Sequence, residues 1–358
     1  MKRRSTADVE AYRERIDSLL REAQYAVMTE GERGAKLGRA GIELSTSGPF
    51  SDEPYALGVV RGLRAVCEAL VPIGKHAEAA RTAHELMRWC KRYPDLESFE
   101  MYGLTVLGHA MIHTGDAESS LKILAEALAI AEREEDIRQQ AACMEIMGIA
   151  YSASGQSERE LPLFRKALIL RRRAGDPIGV AYALNNVAMA EIDRGSPEIG
   201  VEYAQTCAEV IREHGIPVLF SAVMDTLAQA HAKLGNTQHA IEFFEQARAS
   251  SREHHVPIGE GEALLNLGRL LSSEEATRQE GLARLRQARD ILEQCEATAL
   301  LSACHKELAR VFESEGDLAA AMEHLKKHHV LELRLSGEQA DERVETIRAV
   351  HEKSANSA

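Results

Sequence analysis

The fold is decided by one recurring stretch, Pro177-Ile-Gly-Val-Ala-Tyr-Ala-Leu-Asn-Asn-Val-Ala-Met-Ala-Glu-Ile-Asp-Arg-Gly195. Its landmarks return at intervals of forty residues, with prolines at 177, 217 and 257 and glycines at 115, 155, 195 and 235. A fixed period of this length is typical of one supersecondary unit that is copied and stacked. The sequence therefore predicts an array of repeats rather than a single globular core.

The composition narrows the class of partner. The chain has 358 residues, 43 of them basic and 56 acidic, and a formal charge of -13. Nucleic acid and anionic lipid both require a basic face, so we predict neither a nucleic-acid nor a membrane partner. The six cysteines form no C-x-x-C pair and no apolar run is long enough to cross a membrane, which favours a cytoplasmic protein with reduced thiols.

Each repeat has a small residue where its two helices should cross most closely, at Cys67, Gly108, Gly148, Ala188, Ala228, Gly268 and Ala309. Seven positions later a glycine is expected to end the first helix in the left-handed conformation, at Gly74, Gly115, Gly155, Gly195, Gly235 and Gly316. The sixth repeat has Glu275 there instead. The second helix offers a large residue and then a small one, as in Phe164 and Ala167, which suits the filling of the groove between neighbouring hairpins.

This pattern resembles the tetratricopeptide repeat (TPR), whose usual unit has about 34 residues. The longer unit is similar to that of kinesin light chains and bacterial regulatory TPR proteins. The resemblance implies an all-α, right-handed superhelical solenoid of helix-turn-helix repeats. We expect a degenerate capping hairpin and loop over residues 1–54, the TPR array over 55–329, and an amphipathic C-terminal helix over 330–358.

The C-terminal segment has a heptad pattern typical of a coiled coil, at Val330, Leu333, Gly337, Ala340, Val344, Ile347 and His351. We predict that a homodimer forms through residues 330–351. The segment also resembles the helix that ends the TPR sensory regions of bacterial diguanylate cyclases and related signalling proteins. The alternative function is therefore a sensory region that regulates such an enzyme through this helix.

The resemblance implies that the first helices line a groove. The predicted groove residues are Asn185, Asn186, Met189, Asp225, Gln229, Lys233, Asn266, Arg269, Lys306 and Arg310. In related peptide-binding repeats, an asparagine two positions before the small residue often holds the peptide backbone, and Asn186 and Asn266 match that position. An amide both donates and accepts, so it pairs with an extended backbone of any sequence. The competing interpretation is two asparagines on a solvated helix face.

Positive charge gathers at one end of this groove, on Arg269, Lys306 and Arg310. Such a patch is suited to an acidic segment or a C-terminal carboxylate. The competing interpretation is that Glu262, Glu307 and Glu313 neutralise it from nearby helical positions.

Histidines four positions apart occur twice, at His109 with His113 and at His324 with His328. This spacing suits a metal, but the sequence shows no third ligand. We interpret both pairs as polar lining and predict no metal and no cofactor.

The sequence has none of the common catalytic motifs, neither a phosphate loop nor G-x-S-x-G nor H-E-x-x-H. We predict a non-catalytic scaffold or signalling adaptor that binds a peptide or partner protein in the groove. An enzyme would instead need titratable groups that converge in the folded chain.

Overall fold

The computed structural model describes residues 6–29, 31–71, 74–113, 115–216 and 219–355, and the side chains of 8–27, 31–71, 74–113, 115–216 and 219–337. Pro217 lies outside the described residues. The side chains of the last heptad positions, Ala340, Val344, Ile347 and His351, also lie outside them.

Within these ranges the chain is helical and has no strand, so the predicted all-α fold of repeated helical pairs is confirmed. The helices in chain order are α1 (Thr6–Thr29), α2 (Gly31–Ser45), α3 (Ala56–Leu70), α4 (His76–Arg92), α5 (Glu100–His113), α6 (Ala117–Arg133), α7 (Ile137–Ala153), α8 (Glu160–Arg173), α9 (Pro177–Asp193), α10 (Pro197–His214), α11 (Phe220–Lys233), α12 (Thr237–Glu253), α13 (Pro257–Leu271), α14 (Arg278–Gln294), α15 (Thr298–Ser314) and α16 (Leu318–Ala355). Short 3-10 helices lie at Gly48–Phe50 and Pro94–Phe99.

The chain divides into two compact units. Unit 1 comprises residues 1–170 with 339–358, and unit 2 comprises residues 171–338. Consecutive helices pack as hairpins, as α9 does on α10 and α13 on α14. The first helices of successive repeats also touch, α3, α5 and α7 in unit 1 and α9, α11, α13 and α15 in unit 2. The first helices of each unit therefore lie side by side.

Gly148 shows why a small residue recurs at the helix crossing. A Cβ atom built on Gly148 would lie 2.5 Å from Phe164 Cε1 on the second helix of the same repeat, and one on Gly108 would lie 2.6 Å from Leu124 Cγ. The large side chain thus takes the space that a first-helix side chain would need. Phe244 in addition packs with Leu267 of the following repeat, so it also joins neighbouring hairpins, as predicted.

The six predicted turn glycines all have a positive φ, between 74° and 86°. This confirms the left-handed ends of the first helices. The sixth repeat closes its turn differently, because the Thr277 hydroxyl donates to the Leu271 carbonyl at 2.6 Å. No described residue between α13 and α14 has a positive φ.

A second left-handed position, which was not predicted from the sequence, lies between one repeat and the next. Its φ values lie between 53° and 62°, and it is occupied by Glu135, Gly175, Gly215, His255 and Glu296. Because three of the five are not glycine, the position has no single-residue signature. At each of these three residues the left-handed backbone conformation costs free energy that it would not cost at a glycine.

The cysteines form no disulfide. Five of the six are buried, at 67, 90, 143, 207 and 304. Burial raises the pKa of the Cys207 and Cys304 thiols to about 12, so these thiols stay protonated and unreactive.

Helix α16 continues without interruption from Leu318 in the last repeat to Ala355 in the predicted C-terminal segment. Val330 and Leu333 are 64% and 60% exposed. Dimerisation through residues 330–351 stays a prediction, as do the three segments 1–54, 55–329 and 330–358. None of the described helices is both long enough and apolar enough to cross a membrane.

Candidate functional site

The ten predicted groove residues all lie on the first helices of unit 2. We call them, together with Thr226 and Glu307, the polar row. Residues of the row make three hydrogen bonds that span 41 positions, from Thr226 to Asn185, from Asn266 to Asp225, and from Lys233 to the backbone carbonyl of Ile192. Because the repeat length is close to this separation, such residues occupy equivalent turns of adjacent helices. The repeat period thus sets the register of the row.

The first part of the row connects α9 with α11. The Thr226 hydroxyl donates to Asn185 Oδ1 at 2.9 Å and lies 3.5 Å from the sulfur of Met189. Lys233 Nζ donates to the carbonyl of Ile192 at 3.1 Å and pairs with Asp193 at 3.2 Å. Asn185 therefore already has a partner within the protein.

Asp225 is the centre of the row. Its carboxylate accepts from Gln229 Nε2 at 2.6 Å and from Asn266 Nδ2 at 2.9 Å. Burial raises the pKa of Asp225, against the opposing effect of these two bonds and of the Arg269 charge. Burial and the nearby Asp225 also raise the pKa of Glu262. This part of the row disfavours additional negative charge.

Glu307 pairs with both arginines of the predicted basic patch. It accepts from Arg269 Nε at 3.0 Å and from Arg310 Nε at 2.9 Å. Burial disfavours ionisation of Glu307, but the bonds from the two arginines outweigh it and lower its pKa. Of the three predicted cations, Lys306 alone makes no ion pair with the described residues.

The two asparagines singled out from the sequence differ in the structure. Asn266 donates to Asp225 and accepts from Arg269 at 3.2 Å. Asn186 is half-buried and makes no hydrogen bond with any residue in the described part of the chain. Its donor and acceptor are both reachable from solvent. Asn186 is thus the amide of the row that is available to a ligand.

A cavity of about 400 Å³ lies elsewhere in unit 2, beside α10 and α12. Its walls include Ile211, Ile216, Phe220 and Ala249. These residues belong to second helices, to the connection after α10 and to the start of α11, so the cavity is separate from the polar row.

Each histidine pair has a further histidine partner that was not predicted from the sequence. His76, the first residue of α4, joins His109 and His113, and one ring nitrogen of each lies within 4.8 Å of the others. The third ligand that the sequence did not show is therefore present, whereas the interpretation of the pair as polar lining and the absence of a metal stay predictions. Because α4 packs against α5, the start of α4 lies beside the end of α5, and spacing along a single helix does not show this approach. In unit 2, His324 contacts His305, with their Nδ1 atoms 2.8 Å apart.

Comparison with known proteins supports the repeat assignment. Residues 97–173 and 221–257 match family models of the tetratricopeptide repeat. No curated protein sequence matches the chain.

Several solved structures have a similar fold. A Rap protein complexed with competence and sporulation factor has a TM-score of 0.64 and 17% identity, over 91% of this chain and 99% of that one. A Rap conjugation gene regulator of the plasmid pLS20, in complex with the Phr* peptide, has a TM-score of 0.61 and 14% identity, over 89% and 95%. Aspartyl phosphate phosphatase F from Bacillus subtilis has a TM-score of 0.53 and 14% identity, over 84% and 70%. At these identities the likeness concerns the fold.

Proposed function

We propose that this tetratricopeptide-repeat protein is a non-catalytic interaction module that binds an extended peptide segment of a partner protein along the polar row. The role that we propose is that of a cytoplasmic adaptor in bacterial signalling. The observation that carries the proposal is the half-buried amide of Asn186, which makes no hydrogen bond with the described residues, whereas the other amides of the row each bond to a neighbouring residue of the row.

The chemistry of the row suits recognition of a peptide backbone. Asn186 offers one acceptor and two donors at a fixed position on α9, and a backbone in extended conformation presents the complementary groups regardless of its sequence. The bonds of Thr226, Asp225 and Asn266 hold the neighbouring helices in register. Less conformational freedom is then lost when a ligand binds, because the surrounding side chains are ordered beforehand.

The charge of the row favours a neutral or weakly acidic ligand over a strongly acidic one. Glu307 neutralises Arg269 and Arg310, and the raised pKa of Asp225 indicates an environment that disfavours another carboxylate. Lys306 supplies one exposed cation for a terminal carboxylate. We therefore expect a ligand that is recognised through hydrogen bonds to its backbone and makes at most one charged contact.

Two of the similar structures are complexes, one with competence and sporulation factor and one with the Phr* peptide. These facts concern those proteins, and they make a peptide ligand the natural first candidate for this chain. The alternative, a sensory region of an enzyme such as a diguanylate cyclase, stays a prediction from the C-terminal heptads.

The proposal is tested by selecting a displayed library of random peptides against the full chain. Parallel selections use the Asn186→Ala variant and, as a control, Gln238→Ala, an exposed substitution on α12. We expect peptides enriched by the wild type and by Gln238→Ala to fail to enrich on Asn186→Ala. Enrichment of the same peptides by all three proteins would reject the polar row as the binding site.

A further inference from the structure

We infer that His76, His109 and His113 form a binding site for a divalent transition metal of the zinc class. The three histidines lie in unit 1, apart from the polar row, and the inference does not depend on the proposed function. We call them the histidine triad.

The triad is assembled by two adjacent helices. His109 and His113 are one turn apart on α5, and His76 begins α4. The ring centroids of His76 and His113 are 3.8 Å apart, and those of His109 and His113 are 5.0 Å apart. One nitrogen of each ring lies within 4.8 Å of the others. Zinc–nitrogen bonds of about 2.0–2.1 Å place ligand nitrogens roughly 3.3 Å apart in a tetrahedral site. Binding therefore requires rotation of the His76 and His113 rings, which are stacked at 12°, so that their nitrogens converge on one ion.

Two nitrogens of the triad lack a partner. The Nδ1 atoms of His76 and His109 are buried and make no hydrogen bond with the described residues. Buried polar atoms are rarely left unpaired, and such an atom calls for a missing partner. A metal ion bound to these lone pairs would be that partner.

The imidazoles are held in the form that binds metal. Burial and the neighbouring histidines lower the pKa of His109 to about 3, and burial with His113 lowers the pKa of His76 to about 4. Burial also lowers the pKa of His113. Burial thus disfavours the cationic form of these rings, and a neutral imidazole has one nitrogen lone pair that a metal can use.

The donor set selects the class of metal. The triad offers three imidazole nitrogens and neither carboxylate nor thiolate. Calcium and magnesium prefer oxygen ligands, whereas zinc, cobalt, nickel and copper accept imidazole. Three histidines leave one position of a tetrahedral zinc ion for water or for a side chain of a partner.

The test uses the full chain after treatment with a chelator. Titration with Co²⁺, followed by its visible absorption, and with Zn²⁺, followed by calorimetry, should give one tightly bound ion per chain. Replacement of any one histidine of the triad, by His76→Gln, His109→Gln or His113→Gln, should weaken binding at least tenfold. The control is His214→Gln, an exposed histidine at the end of α10, which should bind like the wild type.

A second measurement on the wild type covers the case in which a variant fails to fold. Zn²⁺ should raise the thermal unfolding midpoint of the chelator-treated protein, because a ligand that binds only the folded state stabilises it, and Mg²⁺ at the same concentration should not. Binding below one ion per chain, a zinc effect equalled by magnesium, or unchanged binding in all three triad variants would overturn the inference.

Discussion

Asn266 Nδ2 donates to Asp225 Oδ1 at 2.9 Å, and this bond joins two first helices that lie one repeat apart. Asp225 also accepts from Gln229, so its removal leaves two partly buried amides without their acceptor. We expect Asp225→Ala to lower the free energy of unfolding by about 1–3 kcal/mol. Urea unfolding measures the change.

The control is Asp193→Ala, which removes an exposed carboxylate that pairs with Lys233. Exposed pairs contribute about 0–1 kcal/mol, so this variant should remain close to the wild type. Equal losses from both substitutions would contradict a special role for Asp225.

The crossing of α7 and α8 requires glycine. A methyl group at position 148 would meet the buried ring of Phe164, so Gly148→Ala should cost about 1–3 kcal/mol through overpacking. Gly337→Ala is the matched control, because no atom lies within 4 Å of the Cβ position there, and it should gain up to about 1 kcal/mol. Thermal unfolding measures both variants. An unchanged unfolding midpoint for Gly148→Ala would refute the packing argument.

The connection after α14 contains a strained residue. Glu296 has a φ of 53°, and a non-glycine residue in this region costs roughly 1–2 kcal/mol. Glycine removes this cost but loses more backbone entropy on folding, which offsets part of the gain. Glu296→Gly should therefore raise the free energy of unfolding by about 1 kcal/mol. Glu293→Gly, inside α14, should lower it by about as much. A loss in both variants would argue against strain at residue 296.

The pair His305 and His324 makes unit 2 sensitive to acid. Burial, and then His324 and nearby Lys327 and Arg289, lower the pKa of His305 from 6.5 to about 4, and burial lowers the pKa of His324. Between these values the unfolded chain binds protons that the folded chain does not. The free energy of unfolding is therefore not reduced by this pair above about pH 6.5, and it falls as the pH decreases from there toward 4.

Urea unfolding at pH 7 and pH 5 tests this dependence. The double variant His305→Gln with His324→Gln should lose less stability than the wild type over this interval, and His214→Gln should behave like the wild type. An unchanged loss in the double variant would exclude the pair as the source of acid sensitivity.

The sequence predicted those features that a single residue type requires. A left-handed turn requires glycine and a close helix crossing requires a small residue, so Gly155 and Gly148 could be assigned from their spacing. The left-handed connection was missed because Glu135, His255 and Glu296 occupy it at a tolerable cost. Local rules therefore identified the repeat but not every place where its backbone is unusual.

The sequence predicted which residues of the first helices share one face, but it did not predict the contacts that these residues make. The period placed Asn186 and Asn266 on equivalent turns, yet one amide is available and the other is bound to Asp225. Likewise, the pairing of Glu307 with two arginines and the approach of His76 to His109 depend on how adjacent helices cross. These distances are set by packing between repeats, which spacing along one helix does not specify.

The central claim is tested most directly by the affinity of a selected peptide for the full chain, measured by fluorescence anisotropy. Asn186→Ala should weaken binding about tenfold, because two hydrogen bonds of about 0.5–1.5 kcal/mol each are lost, while its unfolding curve and the affinity of Gln238→Ala match the wild type. An affinity for Asn186→Ala equal to that of the wild type would contradict the account.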